Sequence, residues 1–256
     1  MTETNNHIFK LPNAPLQEVI FELRWKLDFD QETQSLLDKE FQFAFANFVN
    51  LSSHKLKHKI NLRPAIISES MFANKPVYQF WAEKGIYPVF QIGPGVFTVN
   101  ETDKNYVWDS FKELIREGID WLSKSYSNKL EFTFAELRYI DAIEILEDNQ
   151  INLSKFIADN LSLEIKNKVI DARLNDIQFH QRFKLDSENF LSLLIANGVK
   201  NNSQVKAIIL QISYNKTSNI SLETLSTWIE SAHTTCSELF RRMVSTKLYE
   251  QFTKTI

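Results

Sequence analysis

The sequence predicts an α+β fold in which two copies of one strand, helix, antiparallel meander and long helix unit follow each other. Glu22-Leu23-Arg24-Trp25 returns as Glu136-Leu137-Arg138-Tyr139, a little under half the chain further on. Each copy lies in a stretch of strand-like alternation, and a similar order of helix and strand patterns follows each. We therefore expect helices packed on one or two antiparallel sheets, with halves related by a pseudo-two-fold axis.

Composition limits the class of protein. The 256 residues carry 43% hydrophobic and 24% charged side chains, which is ordinary for a soluble globular protein. The formal net charge of −3 does not favour nucleic acid or an anionic membrane as a partner, although a nucleic-acid contact stays open. The single cysteine, Cys236, excludes an internal disulfide. With neither a signal-peptide pattern nor a run of about 18 apolar residues, we expect a cytoplasmic protein.

The first unit is expected over residues 12–125, after a flexible arm of residues 1–11. Val19, Phe21, Leu23 and Trp25 alternate with polar residues and predict a strand with one core face. The later elements of this unit are a helix over 31–49, short strands over 65–72, 77–83, 87–92 and 96–100, and a long helix over 103–123.

The second unit is expected over residues 126–256, and it could also be fused with the first into one domain. Its expected elements are a strand over 132–145, a helix over 153–161, strand-like runs over 169–185, 189–196 and 204–214, and a last helix. Asn197-Gly198 and Asn201-Asn202 predict the turn between the last two strands. Ser221 is expected to cap the last helix, whose apolar stripe runs on to Phe252.

Two Glu-x-Arg pairs are the sharpest candidate site. Glu22 and Arg24, like Glu136 and Arg138, lie two apart on a strand and so share one sheet face. In pseudo-symmetric halves the four charges would meet near the axis. Their arginines would then grip a carboxylate or phosphate group of a ligand or partner. The alternative is a set of ion pairs that fix strand register, or a solvated face.

Two further groups were candidates for chemistry. Lys55, Lys57, His58 and Lys59, with His54, form a basic cluster that predicts an anion contact or else a solvated loop or edge strand. His233 and Cys236 could form a nucleophile pair or half a metal site, but Cys236 fits an apolar stripe and is better explained as a buried structural thiol. No catalytic, phosphate-loop or metal-ligand motif occurs, so we predict no catalytic residue, metal or cofactor.

Three segments together resemble a known family. They are NAPLQEVIFELRW at residues 13–25, LRYIDAIEI at 137–145, and SAHTTCSELFRRMVSTKLYEQF at 231–252. They are similar to a sporadically distributed prokaryotic family of unknown function with an NAPLxEVxFxLRW-like start, an LRYxNxI-like strand and an LFxxxxTxxLxxxF-like end. Asp141 stands where that family often has Asn. The patchy distribution implies mobile cargo such as antiphage defence or toxin–antitoxin modules, and no activity comes with the resemblance.

The functional expectation is therefore a non-enzymatic interaction protein of such a module, which binds a protein partner near Glu22, Arg24, Glu136 and Arg138. A small-ligand or nucleotide-binding sensor that uses the same arginines is the alternative. A metal-dependent nuclease or hydrolase with scattered ligands is a third, more distant one. A homodimer through free strand edges is also compatible with this fold.

Overall fold

A computed structural model describes residues 10–32, 34–63, 69–145, 152–166, 168–170, 174–200 and 205–254. Within these ranges five α-helices accompany one large antiparallel sheet, which confirms the α+β class with helices packed on a sheet. None of the helices in these ranges is long and apolar enough to cross a membrane.

The large sheet has nine strands, and every neighbouring pair is antiparallel. A separate small hairpin contains β2 (Asp28–Asp30) and β3 (Ser35–Leu37). The strands of the large sheet are β1 (Leu16–Trp25), β4 (His58–Asn61), β5 (Tyr78–Glu83), β6 (Ile86–Gly93), β7 (Val96–Thr102), β8 (Phe132–Glu144), β9 (Gln178–Lys184), β10 (Asn189–Val199) and β11 (Lys206–Lys216). Their order is β4-β5-β6-β7-β1-β8-β11-β10-β9, so the two strands that carry the repeated tetrapeptide are central neighbours.

The helices bury their apolar stripes on one face of this sheet. They are α1 (Phe41–Ser52), α2 (Trp108–Ser125), α3 (Leu153–Asn160), α4 (Leu222–Met243) and α5 (Thr246–Thr253). The core is one cluster that joins residues of both halves of the chain, including Phe21 of β1, Phe48 of α1, Leu137 of β8 and Ile229 of α4. Alternate strand residues point to the opposite side, which is called here the second sheet face.

Three of the expected elements of the first half differ in the structure. The helix predicted over 31–49 is wrong at its start, because Ser35–Leu37 is strand β3, paired with β2, and α1 begins only at Phe41. Tertiary hydrogen bonds from Trp25 and Tyr126 to the carboxylate of Asp38 hold this segment outside a helix. The helix predicted from 103 begins at Trp108, after a turn. The strand predicted over 65–72 is a 3-10 turn at Glu69–Phe72, and residues 65–68 lie outside the described residues.

The second half contains further corrections. Asn197 and Gly198 do not form a turn but extend β10, where Gly198 leaves room for the Ile209 side chain of β11. Asn201-Asn202 and residues 1–9 of the arm lie outside the described residues. In the described part of the run 169–185, the strand is Gln178–Lys184. The last helical stripe is broken: extended Val244 bridges to Leu161, and Ser245 then caps α5. Ser221 caps α4 as expected, within a capping box.

Helix α2 approaches the sheet closely because position 118 has no side chain. A Cβ atom built at Gly118 would lie 2.6 Å from Cζ of Phe97 and 2.9 Å from Cε1 of Phe90. Both rings are fully buried in β7 and β6, so neither can move aside into solvent. The glycine therefore sets the distance between α2 and the sheet, which a sequence pattern cannot reveal.

We expect Gly118→Ala to lower the free energy of unfolding by about 1 to 2 kcal/mol, because overpacking a rigid core outweighs the gain in helix propensity. Urea denaturation measures the change. Glu113→Ala on the exposed side of α2 is the matched control and should stay within about 0.5 kcal/mol of the wild-type chain. An alanine variant more stable than wild type would show that α2 can shift outward at no cost.

Candidate functional site

The charge cluster (Glu22, Arg24, Glu136 and Arg138) lies at the centre of the large sheet on its second face. Antiparallel pairing of β1 and β8 sets Glu22 directly opposite Glu136, Arg24 opposite Phe134, and Arg138 opposite Ile20. The two glutamates are thus cross-strand neighbours of like charge, an arrangement that is destabilising unless cations compensate it.

Each glutamate of the charge cluster is paired with the arginine two residues further along its own strand. Nε and Nη2 of Arg24 both lie 2.5 Å from Oε1 of Glu22, and Nη2 of Arg138 donates to Oε2 of Glu136. The side chain of Glu136 is 8% exposed and that of Glu22 is 12% exposed, whereas those of Arg138 and Arg24 are 27% and 38% exposed. The carboxylates therefore lie at the bottom of the cluster and the guanidinium groups face outward.

Aromatic and polar neighbours surround this cluster. The guanidinium carbon of Arg24 lies 4.9 Å from the centre of the Phe134 ring, a cation–π contact. On the adjoining strands, Thr98 donates to Asn100, and Asn100 in turn donates to Glu18. The second face thus combines arginine, aromatic rings and satisfied polar groups.

One donor in the cluster has no acceptor. Nε of Arg138 is buried and makes no hydrogen bond within the part of the chain that the structure describes. A buried donor without a partner is destabilising. Arg138 therefore carries an unsatisfied donor at the base of the charge cluster.

The basic cluster predicted at residues 54–59 is not gathered at one point. Nζ of Lys55 pairs with Glu117 of α2, Nζ of Lys57 donates to the Ser53 carbonyl, and Nζ of Lys59 lies 5.1 Å from the centre of the Phe45 ring. His58 begins edge strand β4, and its side chain is exposed. The anion contact stays a prediction, and Lys55, Lys57 and Lys59 would each have to leave a partner to make it.

A second site, which the sequence pattern missed, is a cleft on the helical side of the sheet. It has a volume of about 480 Å³ and lies between β8, α4, α5, the residues before α2 and the residues before β1. Its floor contains Tyr139, the aromatic residue of the second repeated tetrapeptide. The hydroxyls of Tyr139 and Tyr106 lie 2.9 Å apart, and that of Tyr139 lies 2.7 Å from Nδ1 of His233.

His233 is held as a neutral ring. Burial lowers the pKa of His233 to about 4, and neutral Nδ1 can accept a hydrogen bond from the Tyr139 hydroxyl. The imidazole stacks on Trp108 with ring centres 3.9 Å apart, and the Trp108 indole N–H donates to Glu230, which also pairs with Lys112. Burial likewise raises the pKa of Tyr139 far above its ordinary range, so this chain of hydroxyls stays protonated.

Asp141 lies on the floor of the same cleft, two residues after Tyr139. An irregularity in the pairing of β1 and β8 sets Leu16 opposite Asp141, beside the bulged Gln17, and such bulges re-aim side chains. The residue is 6% exposed, and its carboxylate makes no hydrogen bond to any residue that the structure describes. Burial, with a smaller contribution from Asp103, raises the pKa of Asp141 to about 7.

The pair predicted at His233 and Cys236 divides between two roles. Cys236 is 2% exposed and burial raises the pKa of its thiol, which favours the structural thiol over a nucleophile. His233 instead joins the Tyr106–Tyr139 hydrogen bonds. The signal that could have found it was Tyr139, a residue with a polar tip on the core face of a strand, where a partner is required. No group of three or more His, Cys, Asp or Glu residues in the described ranges could hold a metal ion.

The comparisons with known proteins add no relative. The chain has no significant match among protein-family models, among curated proteins or among solved structures.

Proposed function

We propose that the chain is a non-enzymatic interaction protein that binds a protein partner through the charge cluster on the second sheet face. The observation that carries the proposal is the paired, outward-facing guanidinium groups of Arg24 and Arg138 at the centre of a large sheet. Arginine and aromatic residues are enriched in the energetically dominant centres of protein interfaces. The neighbouring acids Glu18, Glu22 and Glu136 would repel a phosphate backbone, which favours protein over nucleic acid as the partner.

The proposal extends to biological context through the resemblance described above. The sporadic distribution of the family that the three segments resemble supports a component of an antiphage defence or toxin–antitoxin module. Deleting the gene from its native host should raise the plating efficiency of at least one phage, or release growth inhibition by a neighbouring gene product. If the wild-type strain expresses the protein and the deletion produces neither effect, this biological context is contradicted. The binding proposal does not depend on that result.

We also infer that the two halves arose by duplication and are related by a two-fold axis between β1 and β8. Three features support this. Glu22 and Glu136, which hold the same place in the repeated tetrapeptide, face each other. Apart from the β2–β3 hairpin and the 3-10 turn of the first half and α5 of the second, each half has the element order strand, helix, three or four strands, helix. From the central pair outward, the sheet runs β7-β6-β5 on one side and β11-β10-β9 on the other. In a crystal structure, superposing the halves should require a rotation near a half-turn, and any other rotation would contradict the axis.

The binding proposal is tested by neutralising the cluster in pairs, so that no carboxylate is left without a partner. The variant carries Glu22→Gln, Arg24→Gln, Glu136→Gln and Arg138→Gln. We expect affinity capture from native cells to recover a specific protein with the wild-type chain and at least about tenfold less of it with the variant. The control is Glu113→Gln with Arg116→Gln, which neutralises an exposed ion pair on α2 and should recover the wild-type amount.

Equal recovery by both variants, or no specific protein with the wild-type chain, would contradict the proposal. Circular dichroism and thermal unfolding of each variant establish that the fold is intact. The competing sensor function gives a different result: a nucleotide would raise the melting temperature of the wild-type chain, because a ligand that binds only the folded state stabilises it, and would not raise that of the four-site variant.

A further inference from the structure

The cleft on the helical side has the dimensions of a small-molecule site. Its volume of about 480 Å³ lies within the ordinary range of ligand pockets, roughly 300 to 1,000 Å³. Trp108, Phe240 and Tyr249 supply aromatic walls, and most of the lining is apolar. It lies on the opposite side of the sheet from the charge cluster, so it is independent of the partner surface proposed above.

Asp141 is a buried acid of this cleft without a counterpart among the residues that the structure describes. Asp141 is 6% exposed and lines the cavity, and no hydrogen bond from a described residue is among the causes that shift the pKa of its carboxyl group. The two cations that line the cleft are directed elsewhere: Lys10 pairs with Asp103, and Arg241 lies over the Tyr249 ring. A buried acid without a cation or donor is destabilising, and a bound ligand can supply both.

The other polar groups of the cleft do not supply a positive charge. The Tyr106 and Tyr139 hydroxyls and Nδ1 of His233 satisfy one another, and the imidazole stacked on Trp108 is neutral. Asp103 adds a second negative charge near Asp141. The electrostatic character of the cleft is therefore negative at its floor and aromatic at its walls, which disfavours anions and favours a cation with an apolar body.

We propose that this cleft binds a small organic amine, whose ammonium group pairs with the carboxylate of Asp141 and whose apolar or aromatic body lies against the walls formed by Trp108 and Tyr249. The ammonium group supplies the hydrogen-bond donors and the charge that Asp141 lacks, a charge-assisted contact. Trp108 and Tyr249 offer apolar surface to the body of the amine, while one face of each ring is already covered, by the His233 imidazole and by the Arg241 guanidinium group.

The experiment compares probes that share a body and differ in charge. Benzylamine, phenethylamine and tryptamine are each titrated by calorimetry at pH 8 against the alcohol and the carboxylic acid built on the same ring system. We expect at least one amine to bind about tenfold or more tightly than its alcohol, and its carboxylate to bind most weakly. At pH 7 the apparent binding enthalpy of that amine should also depend on the ionisation enthalpy of the buffer, since the ammonium displaces the proton from Asp141.

Two variants test whether binding depends on the charge of Asp141 and on the aromatic wall. Asp141→Asn keeps the side-chain shape and removes the charge, so it should abolish the preference for amine over alcohol. Trp108→Ala removes a wall and should weaken amine and alcohol alike. The four-site variant of the charge cluster is the control and should bind the amine as the wild-type chain does. Equal affinity for the three charge forms, an amine preference that survives Asp141→Asn, or no binding of any amine at millimolar concentration would each overturn the proposal.

Discussion

Asp141→Asn should raise the free energy of unfolding at pH 8 by up to about 4 kcal/mol, the largest single effect that we expect in this chain. The pKa of Asp141 rises from an ordinary 3.8 to about 7 because burial disfavours its charged form. One pKa unit corresponds to about 1.4 kcal/mol, so holding this carboxylate ionised in the folded state opposes folding by roughly that total. Asparagine fills the same space and has no charge to desolvate.

The gain in the free energy of unfolding that Asp141→Asn produces should increase with pH. Below the unfolded pKa of 3.8, Asp141 is protonated in both states and contributes nothing. Between that value and about 7, the folded state holds a proton that the unfolded state has released, so stability falls as pH rises. The difference between Asp141→Asn and wild type should therefore be near zero at pH 4, grow through pH 5 and 6, and level off above pH 7.

His233 should act in the opposite direction over nearly the same range. Its pKa falls from 6.5 to about 4 because burial disfavours the imidazolium, so the stability that it contributes is present above 6.5 and is lost as pH falls toward 4. In the wild-type chain the two slopes nearly cancel between pH 4 and 6.5. His233→Gln keeps an acceptor for the Tyr139 hydroxyl and should leave a chain whose stability falls as pH rises through that window.

Urea denaturation of the wild-type chain and the two variants at intervals from pH 4 to 8 measures these slopes. Other titratable groups that line the cleft are common to all three proteins and cancel in the differences: Lys10, Tyr106, Tyr139, Cys236, Glu238, Arg241 and Tyr249, with Asp103 nearby. Asp120→Asn, at an exposed carboxylate of α2, is the control and should give a flat difference curve. A flat curve for Asp141→Asn would mean that this carboxyl titrates normally in the folded state.

Much of the sheet could be predicted because its strands alternate cleanly. In β1 the buried positions Val19, Phe21, Leu23 and Trp25 fall at every second residue, and the charged residues between them share the second face. That alternation, together with the repeated tetrapeptide, also placed the members of the charge cluster on one face. The periodicity of a strand is local information, so a sequence reveals it.

The parts that could not be predicted depend on contacts distant in the sequence. Asp38 is kept out of α1 by hydrogen bonds from Trp25 and Tyr126. The cleft likewise joins Tyr106, Tyr139 and His233, which lie on three different elements. No local pattern marks such residues, because each is ordinary within its own element and acquires its role only when the elements pack.

Arg138→Ala should lower the free energy of unfolding by about 3 kcal/mol, since it leaves Glu136 buried and unpaired directly opposite Glu22. The loss would be partly offset because the variant also removes the buried Nε donor that has no acceptor among the described residues. Arg24→Ala should have a smaller effect, about 1 kcal/mol, because the Arg24–Glu22 pair is more exposed than the Arg138–Glu136 pair. The order of these two effects follows from burial, since the two ion pairs have the same spacing.

A double-mutant cycle separates the missing charge from the missing side chain. Adding Glu136→Gln to Arg138→Ala removes the unpaired carboxylate and should recover more than half of the lost stability. Glu136→Gln alone keeps a side-chain oxygen that can accept a hydrogen bond from Nη2 of Arg138 and should change little. Arg138→Lys, which keeps the charge but not the planar fork, should lie between wild type and alanine. If the double variant were as unstable as Arg138→Ala, the loss would come from packing against the arginine stem. In that case the repulsion between the facing carboxylates Glu22 and Glu136 would not need the positive charge of Arg138 to offset it.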